Sequence, residues 1–113
     1  MEKAFVLIVV LLAFLSACNL NQGRSIQYSV TGSTVTAEVL FENSSEGITR
    51  SLGVAIPWSY SFISDPGDFV YISAQKDDDP ATDVTVTIYV DGRVLQTSTA
   101  SGAYAMATAS GSP

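Results

Sequence analysis

Asp83-Val84-Thr85-Val86-Thr87-Ile88-Tyr89-Val90-Asp91-Gly92 is the stretch from which the fold of this chain is read. Val84, Val86, Ile88 and Val90 occupy every second position, the period of a strand that buries one face. Asp91-Gly92 then supplies two residues that tolerate positive φ in a tight turn, and Val94 and Leu95 resume the apolar pattern beyond it. The stretch predicts two antiparallel strands joined by a two-residue hairpin turn.

The same period recurs toward the N-terminus. Ile26, Tyr28 and Val30 alternate with polar residues, Gly32-Ser33 interrupts, and Val35, Ala37, Val39 and Phe41 alternate again, which predicts a second hairpin. Glu42 to Gly47 is a turn cluster, Ile48 to Ile56 a weaker strand, and Ile56, Trp58, Tyr60 and Phe62 alternate where Pro57 points to an edge or a bend. Asp65-Pro66-Gly67-Asp68 reads as a turn, because proline presets φ and glycine accepts positive values. Phe69 to Ala74 predicts a strand with Val70 and Ile72 on one face, Lys76 to Pro80 a charged loop, and Gly102 a last turn before Tyr104 and Met106. Beyond the leader, no segment holds a helical period over three turns. Seven or eight short strands with closely spaced turns predict an all-β domain, an antiparallel sandwich in preference to a small barrel.

Ahead of this domain, Ala4 to Phe14 is an unbroken apolar run preceded by Lys3 and followed by Leu15-Ser16-Ala17-Cys18. The run of about eleven residues suits a signal peptide. As a helix it reaches roughly 17 Å, well short of a hydrocarbon core of about 30 Å. Ser16 and Ala17 are small enough for a peptidase to approach the backbone, and the Cys18 thiol can carry a diacylglyceryl group on the side that survives cleavage. The expected organisation is a lipoprotein signal over residues 1–17, a lipidated tether over 18–24, a β-sandwich over 25–109 and a frayed end over 110–113. With about six residues of tether, the domain stays roughly 15 Å from the bilayer. The expected location is the bacterial envelope, outside the cytoplasm, and the expected partners are the membrane, through Cys18, and membrane-proximal envelope proteins.

Composition narrows the chemistry. The mature part, about 95 residues, is the size of one domain. Cys18 is the single cysteine, so the domain has no disulfide and must be stabilised by its core. A net charge of -6 from 11 acidic and 5 basic residues argues against nucleic acid and against anionic headgroups as partners. The absence of histidine removes the commonest general base, the usual catalytic triad and most metal sites. No catalytic residue, and no cofactor, is therefore expected. Lys76, beside three aspartates, reads as a surface charge.

Two groups of residues could still bind something. Asp77, Asp78, Asp79 and Asp83 offer hard oxygen ligands suited to calcium, but lack the spacing and the glycine of an EF-hand loop; a solvated charged loop is the simpler reading. Trp58 and Tyr60 could stack on sugars or apolar groups as a binding surface. Their period of two sets them with Phe62 on one strand face, where the ordinary role is core.

Several pieces, in order, resemble the mycobacterial membrane protein small family, known as MmpS. They are Ile26-Gln27-Tyr28-Ser29-Val30-Thr31-Gly32, Thr36-Ala37, Pro57-Trp58, Ile88-Tyr89-Val90-Asp91-Gly92 and Ser101-Gly102-Ala103-Tyr104-Ala105. The resemblance implies an Ig-like β-sandwich of about seven strands on the outer side of a membrane, working as an accessory to exporters of the resistance-nodulation-division type. Members of that family typically begin with a transmembrane helix and carry a cysteine pair. Here a lipobox stands in the anchor's place, and the positions around Val86 and Ala107 hold no cysteine. The leading expectation is a non-enzymatic, lipid-anchored domain that binds another protein such as an exporter; the others are a small-ligand or glycan-binding surface lipoprotein and a purely structural one.

Overall fold

The computed structural model describes residues 23–43, 47–65 and 67–113. The leader, the lipobox Leu15-Ser16-Ala17-Cys18, the tether up to residue 22, residues 44–46 of the turn cluster and Pro66 lie outside the described residues. Eight strands form: β1 (Arg24–Thr31), β2 (Thr36–Glu42), β3 (Ile48–Ala55), β4 (Trp58–Ser64), β5 (Val70–Lys76), β6 (Asp83–Val90), β7 (Arg93–Ser101) and β8 (Met106–Gly111). They make two four-stranded antiparallel sheets, ordered β4-β1-β6-β7 and β3-β2-β5-β8, packed as a sandwich. Among the described residues no helix is long and apolar enough to cross a membrane.

The alternating residues face one another across the interior. Ile26, Tyr28 and Val30 of β1 and Val84, Val86 and Ile88 of β6 meet Ala37, Val39 and Phe41 of β2 and Val70, Ile72 and Ala74 of β5, all buried. Each large aliphatic or aromatic side chain removed from water in this way contributes about 1.5–3 kcal/mol. Ala107 and Ala109 complete the core from β8. The hairpin predicted from Asp91-Gly92 is present: Val90 pairs with Arg93, and the turn residues take φ of 50° and 81°. These are the conformations of a tight primed turn, which matches strand twist.

Three expectations need correction. The β1 and β2 strands do not form a hairpin, because they lie in different sheets. The link between them is captured by the start of β6: the Ser33 N–H and hydroxyl donate to Asp83 Oδ1 at 2.9 and 3.0 Å, and the Thr34 N–H donates to the Asp83 carbonyl at 3.1 Å. Gly32, at φ 135°, passes so close that a Cβ there would lie 2.5 Å from the Asp83 carbonyl. The chain thus crosses over the strand ends into the opposite layer.

Residues 110 and 111 are not frayed. They pair with Tyr71 and Val70, and the Ser110 N–H also donates to the Gln96 side chain at 3.2 Å. The third correction concerns Lys76, which is 2% exposed and so is not a surface charge.

The two sheets differ at their margins. On the outer face of the β1 sheet, hydroxyls pair across β6 and β7, Thr85 with Thr99 at 2.8 Å and Thr87 with Thr97 at 3.0 Å. In β3, an edge strand, the register shifts opposite Ala37–Val39, and Gly53 at φ 61° takes up the extra residue as a bulge.

Two carboxylates clasp loops to strands. Asp83 and Asp91 are held below the usual carboxylate range, Asp83 chiefly by the Ser33 N–H and Asp91 chiefly by the Ser25 N–H, with Arg24 assisting at Asp91. Their stabilisation is complete above the ordinary carboxylate pKa and disappears as acid carries the pH down through the depressed values. In acid titration of unfolding, Asp83→Asn is expected to flatten that low-pH limb relative to the wild type.

Candidate functional site

Trp58 and Tyr60 turn inward. They sit on β4 opposite Val30 and Tyr28, and pack against the core with Phe62. Phe41 lies 5.2 Å from the Trp58 ring and 4.7 Å from that of Tyr60, and the two rings stack at 6.4 Å with 7° between planes. Both are half-buried, closing the side of the interior near the β3–β4 connection. The geometry gives them a packing role.

The four aspartates do not converge either. Asp77 Oδ1 accepts from the Asp79 N–H, Asp79 Oδ1 accepts from the Ala81 N–H, Asp83 is engaged with Ser33, and Asp78 faces solvent. Among the described residues no group of three acidic side chains is placed to hold a metal. The cation of this loop is the ammonium of Lys76. It donates to the Asp77 carbonyl at 3.2 Å and to the Asp79 carbonyl, and stands 3.6 Å from the Asp77 carboxylate.

The aromatic residue most open to solvent among the described residues is instead Tyr104, 63% exposed. It follows the Gly102 turn at φ 58°, a left-handed conformation that costs a non-glycine residue about 1–2 kcal/mol. Backbone bonds hold it there: the Tyr104 N–H donates to the Asp77 carbonyl at 2.8 Å, its carbonyl accepts from the Gln75 amide at 3.1 Å, and the Lys76 N–H donates to the Ala105 carbonyl at 3.0 Å. Lys76 thereby links the two loops, since its ammonium orders residues 77–79 while its backbone grips the Tyr104 loop.

Tyr104 lines a shallow hollow of about 240 Å³ with Thr36, Glu38, Gly53, Gln75 and Asp77. Met106, paired with Gln75, and Leu52, beside Gly53, are both more than half exposed at its margin. Arg50 donates to Glu38 at 2.6 Å and orients that carboxylate on the same outer face. The arrangement is three exposed nonpolar side chains around a row of hydrogen-bonding groups, which suits recognition. No side-chain pattern in the sequence marks it, because the exposure of Tyr104 follows from its left-handed backbone.

No family model matches the chain, and no curated protein does. Among solved structures the chain is similar to the selenomethionine form of vCBM60, from a study linking two families of calcium-dependent carbohydrate binding modules. The identity is 18% and the TM-score 0.42, with 65% of this chain and 61% of that chain covered. It is also similar to vCBM60 in complex with galactobiose, at 20% identity and a TM-score of 0.37, with 64% of this chain and 66% of that chain covered. The chain thus spans about three-fifths of the first of these structures.

Proposed function

We propose that this chain is a non-enzymatic recognition domain, held on a bacterial membrane through Cys18, that binds a membrane-proximal envelope protein such as an exporter through its Tyr104 face. The observation that carries the reading is the grouping of exposed Leu52, Tyr104 and Met106 around Glu38 and Gln75. Interfaces draw most of their binding energy from a few such anchors, tyrosine prominent among them. The sequence supports the membrane attachment through the apolar run and its lipobox, and the MmpS resemblance supports the choice of an exporter.

A photo-crosslinking residue at position 106 in intact cells is expected to capture one protein partner, while the same residue at Ser29, on the outer face of the other sheet, captures none. Tyr104→Ala is expected to weaken that complex about 30-fold, the equivalent of about 2 kcal/mol at an aromatic anchor. Equal capture from both positions, or capture indifferent to Tyr104→Ala, removes this face from the proposal.

One observation favours a second reading, a glycan ligand. The Tyr104 ring stands beside Gln75, Glu38, Asp77 and Thr36 in one small hollow, and stacking with flanking hydrogen bonds is how sugar rings are held. A glycan that binds the wild type and fails to bind Tyr104→Ala, with Trp58 fluorescence unchanged, moves the assignment to carbohydrate.

A further inference from the structure

Seven of the nine exposed large apolar side chains among the described residues, all but Val35 and Ile48, form two groups toward opposite ends of the sandwich. Leu52, Tyr104 and Met106 belong to the recognition face at one end; Ile63, Phe69, Val94 and Leu95 gather at the other. The strand registers fix this second end. Arg24, which opens β1, pairs with Ser64, Ile26 pairs with Val90, and Val90 pairs with Arg93, so the start of β1, the end of β4 and the β6–β7 turn lie together. Phe69 joins them from the other sheet, because its neighbour Val70 pairs with Gly111, and Gly111 lies against Leu95.

This is also the end at which the chain enters the fold. Gly23 passes so close to β4 that a Cβ there would lie 2.5 Å from the Ser64 carbonyl and 2.8 Å from the Ile63 side chain. Arg24 then lines a surface hollow of about 470 Å³ with Val90, Asp91, Arg93, Val94 and Leu95. Only residues 19–22 separate Gly23 from Cys18, and the apolar run 4–14 lies upstream as well. Any attachment on that side delivers this end of the domain to the membrane. The two cations differ in their engagement: Arg24 is tied to Asp91 at 3.2 Å, whereas Arg93 makes no ion pair among the described residues. The acidic loop Asp77-Asp78-Asp79 sits at the opposite end, beside Tyr104, while at the entry end Asp91 is tied to Arg24 and the Asp68 carboxylate accepts from the Asp65 N–H at 3.0 Å.

From this we infer that the entry end of the sandwich rests on the lipid surface, with Ile63, Phe69, Val94 and Leu95 in the interfacial layer and Arg93 against lipid phosphates, so that the Tyr104 face points away from the bilayer. The inference rests on the membrane attachment proposed above. Aliphatic and aromatic side chains with an arginine that can reach the headgroups suit that layer. The contact draws this end of the domain in from the roughly 15 Å that the tether alone would set, a distance a flexible tether of this length can close.

The test uses the full-length, processed protein reconstituted in phosphatidylcholine vesicles. A polarity-sensitive dye is attached at Val94→Cys or, as the comparison, at Asp78→Cys. Flotation with the vesicles reports the attachment. Quenching of the dye by a quencher carried on the lipid headgroups reports the contact. The expected result is flotation of both proteins, with quenching several-fold stronger at position 94 than at 78. Flotation with equal, weak quenching at both positions overturns the inference and leaves the attachment standing; failure to float overturns both.

Discussion

Lys76→Met is expected to lower the free energy of unfolding by about 3 kcal/mol, because a buried cation is removed from groups arranged around it. The side chain of Lys76 is fully buried, and its ammonium donates to the Asp77 and Asp79 carbonyls beside the Asp77 carboxylate. Methionine fills a similar volume, so the loss comes from the charge-assisted hydrogen bonds to the two carbonyls and the attraction of the Asp77 carboxylate rather than from a cavity. Chemical denaturation at neutral pH measures it directly. The loop that carries Tyr104 hangs from the same residue, since the Lys76 N–H donates to the Ala105 carbonyl and the Asp77 carbonyl accepts from Tyr104. Proteolytic nicking between residues 77 and 82 is therefore expected to accelerate in the variant. Calcium is expected to leave the melting temperature of the wild type unchanged, because the ammonium already occupies the centre that the loop carbonyls face. A calcium-dependent rise in that temperature would contradict this account.

Tyr28→Phe is expected to cost about 1–3 kcal/mol, the range for stranding buried hydrogen-bonding partners. The Tyr28 hydroxyl donates to the Glu42 carbonyl at 2.8 Å and accepts from the Tyr71 N–H at 3.3 Å, joining one sheet to the other beneath the Phe41 and Phe62 rings. Phenylalanine keeps the ring contacts and abandons both bonds. The same site predicts a pH dependence. Burial pushes the phenol from its ordinary value of 10.0 up to about 12. Its neutral form is thus the one the fold prefers. The resulting stabilisation is complete below pH 10 and is lost as the pH rises through about 12, because the unfolded chain ionises there first. Unfolding followed across that window is expected to show a falling alkaline limb in the wild type that Tyr28→Phe lacks.

The fold was legible because its signal is local. Alternation at Val84–Val90 and a two-residue turn of fixed chemistry at Asp91-Gly92 leave one arrangement, and the structure has it. The connection from β1 to β2 shows where that logic stops. A hairpin and a crossing between sheets leave the same alternation on either side of Gly32-Ser33, and what separates them is Asp83, fifty residues on, taking hold of Ser33. The period likewise sets Trp58, Tyr60 and Phe62 on one strand face, whose ordinary role is core, and that face packs inward. Lys76 reads as a surface charge from the sequence because the groups its ammonium donates to are carbonyls of its own loop, and backbone carbonyls are invisible to a reading of side-chain types. Tyr104 is the opposite case: its exposure follows from a left-handed turn, a property of the backbone that a non-glycine residue does not advertise.

Proteins confined to one leaflet share an up-down orientation and collide side by side, conditions under which a straight, unpaired strand would recruit its neighbours into a growing ribbon. The extra residue at Gly53 interrupts the row of free donors and acceptors along β3, so that a second molecule arriving there finds no continuous partner. On the membrane attachment proposed above, straightening that margin by deleting one residue would be felt as clustering in the plane of the bilayer rather than as a loss of folding.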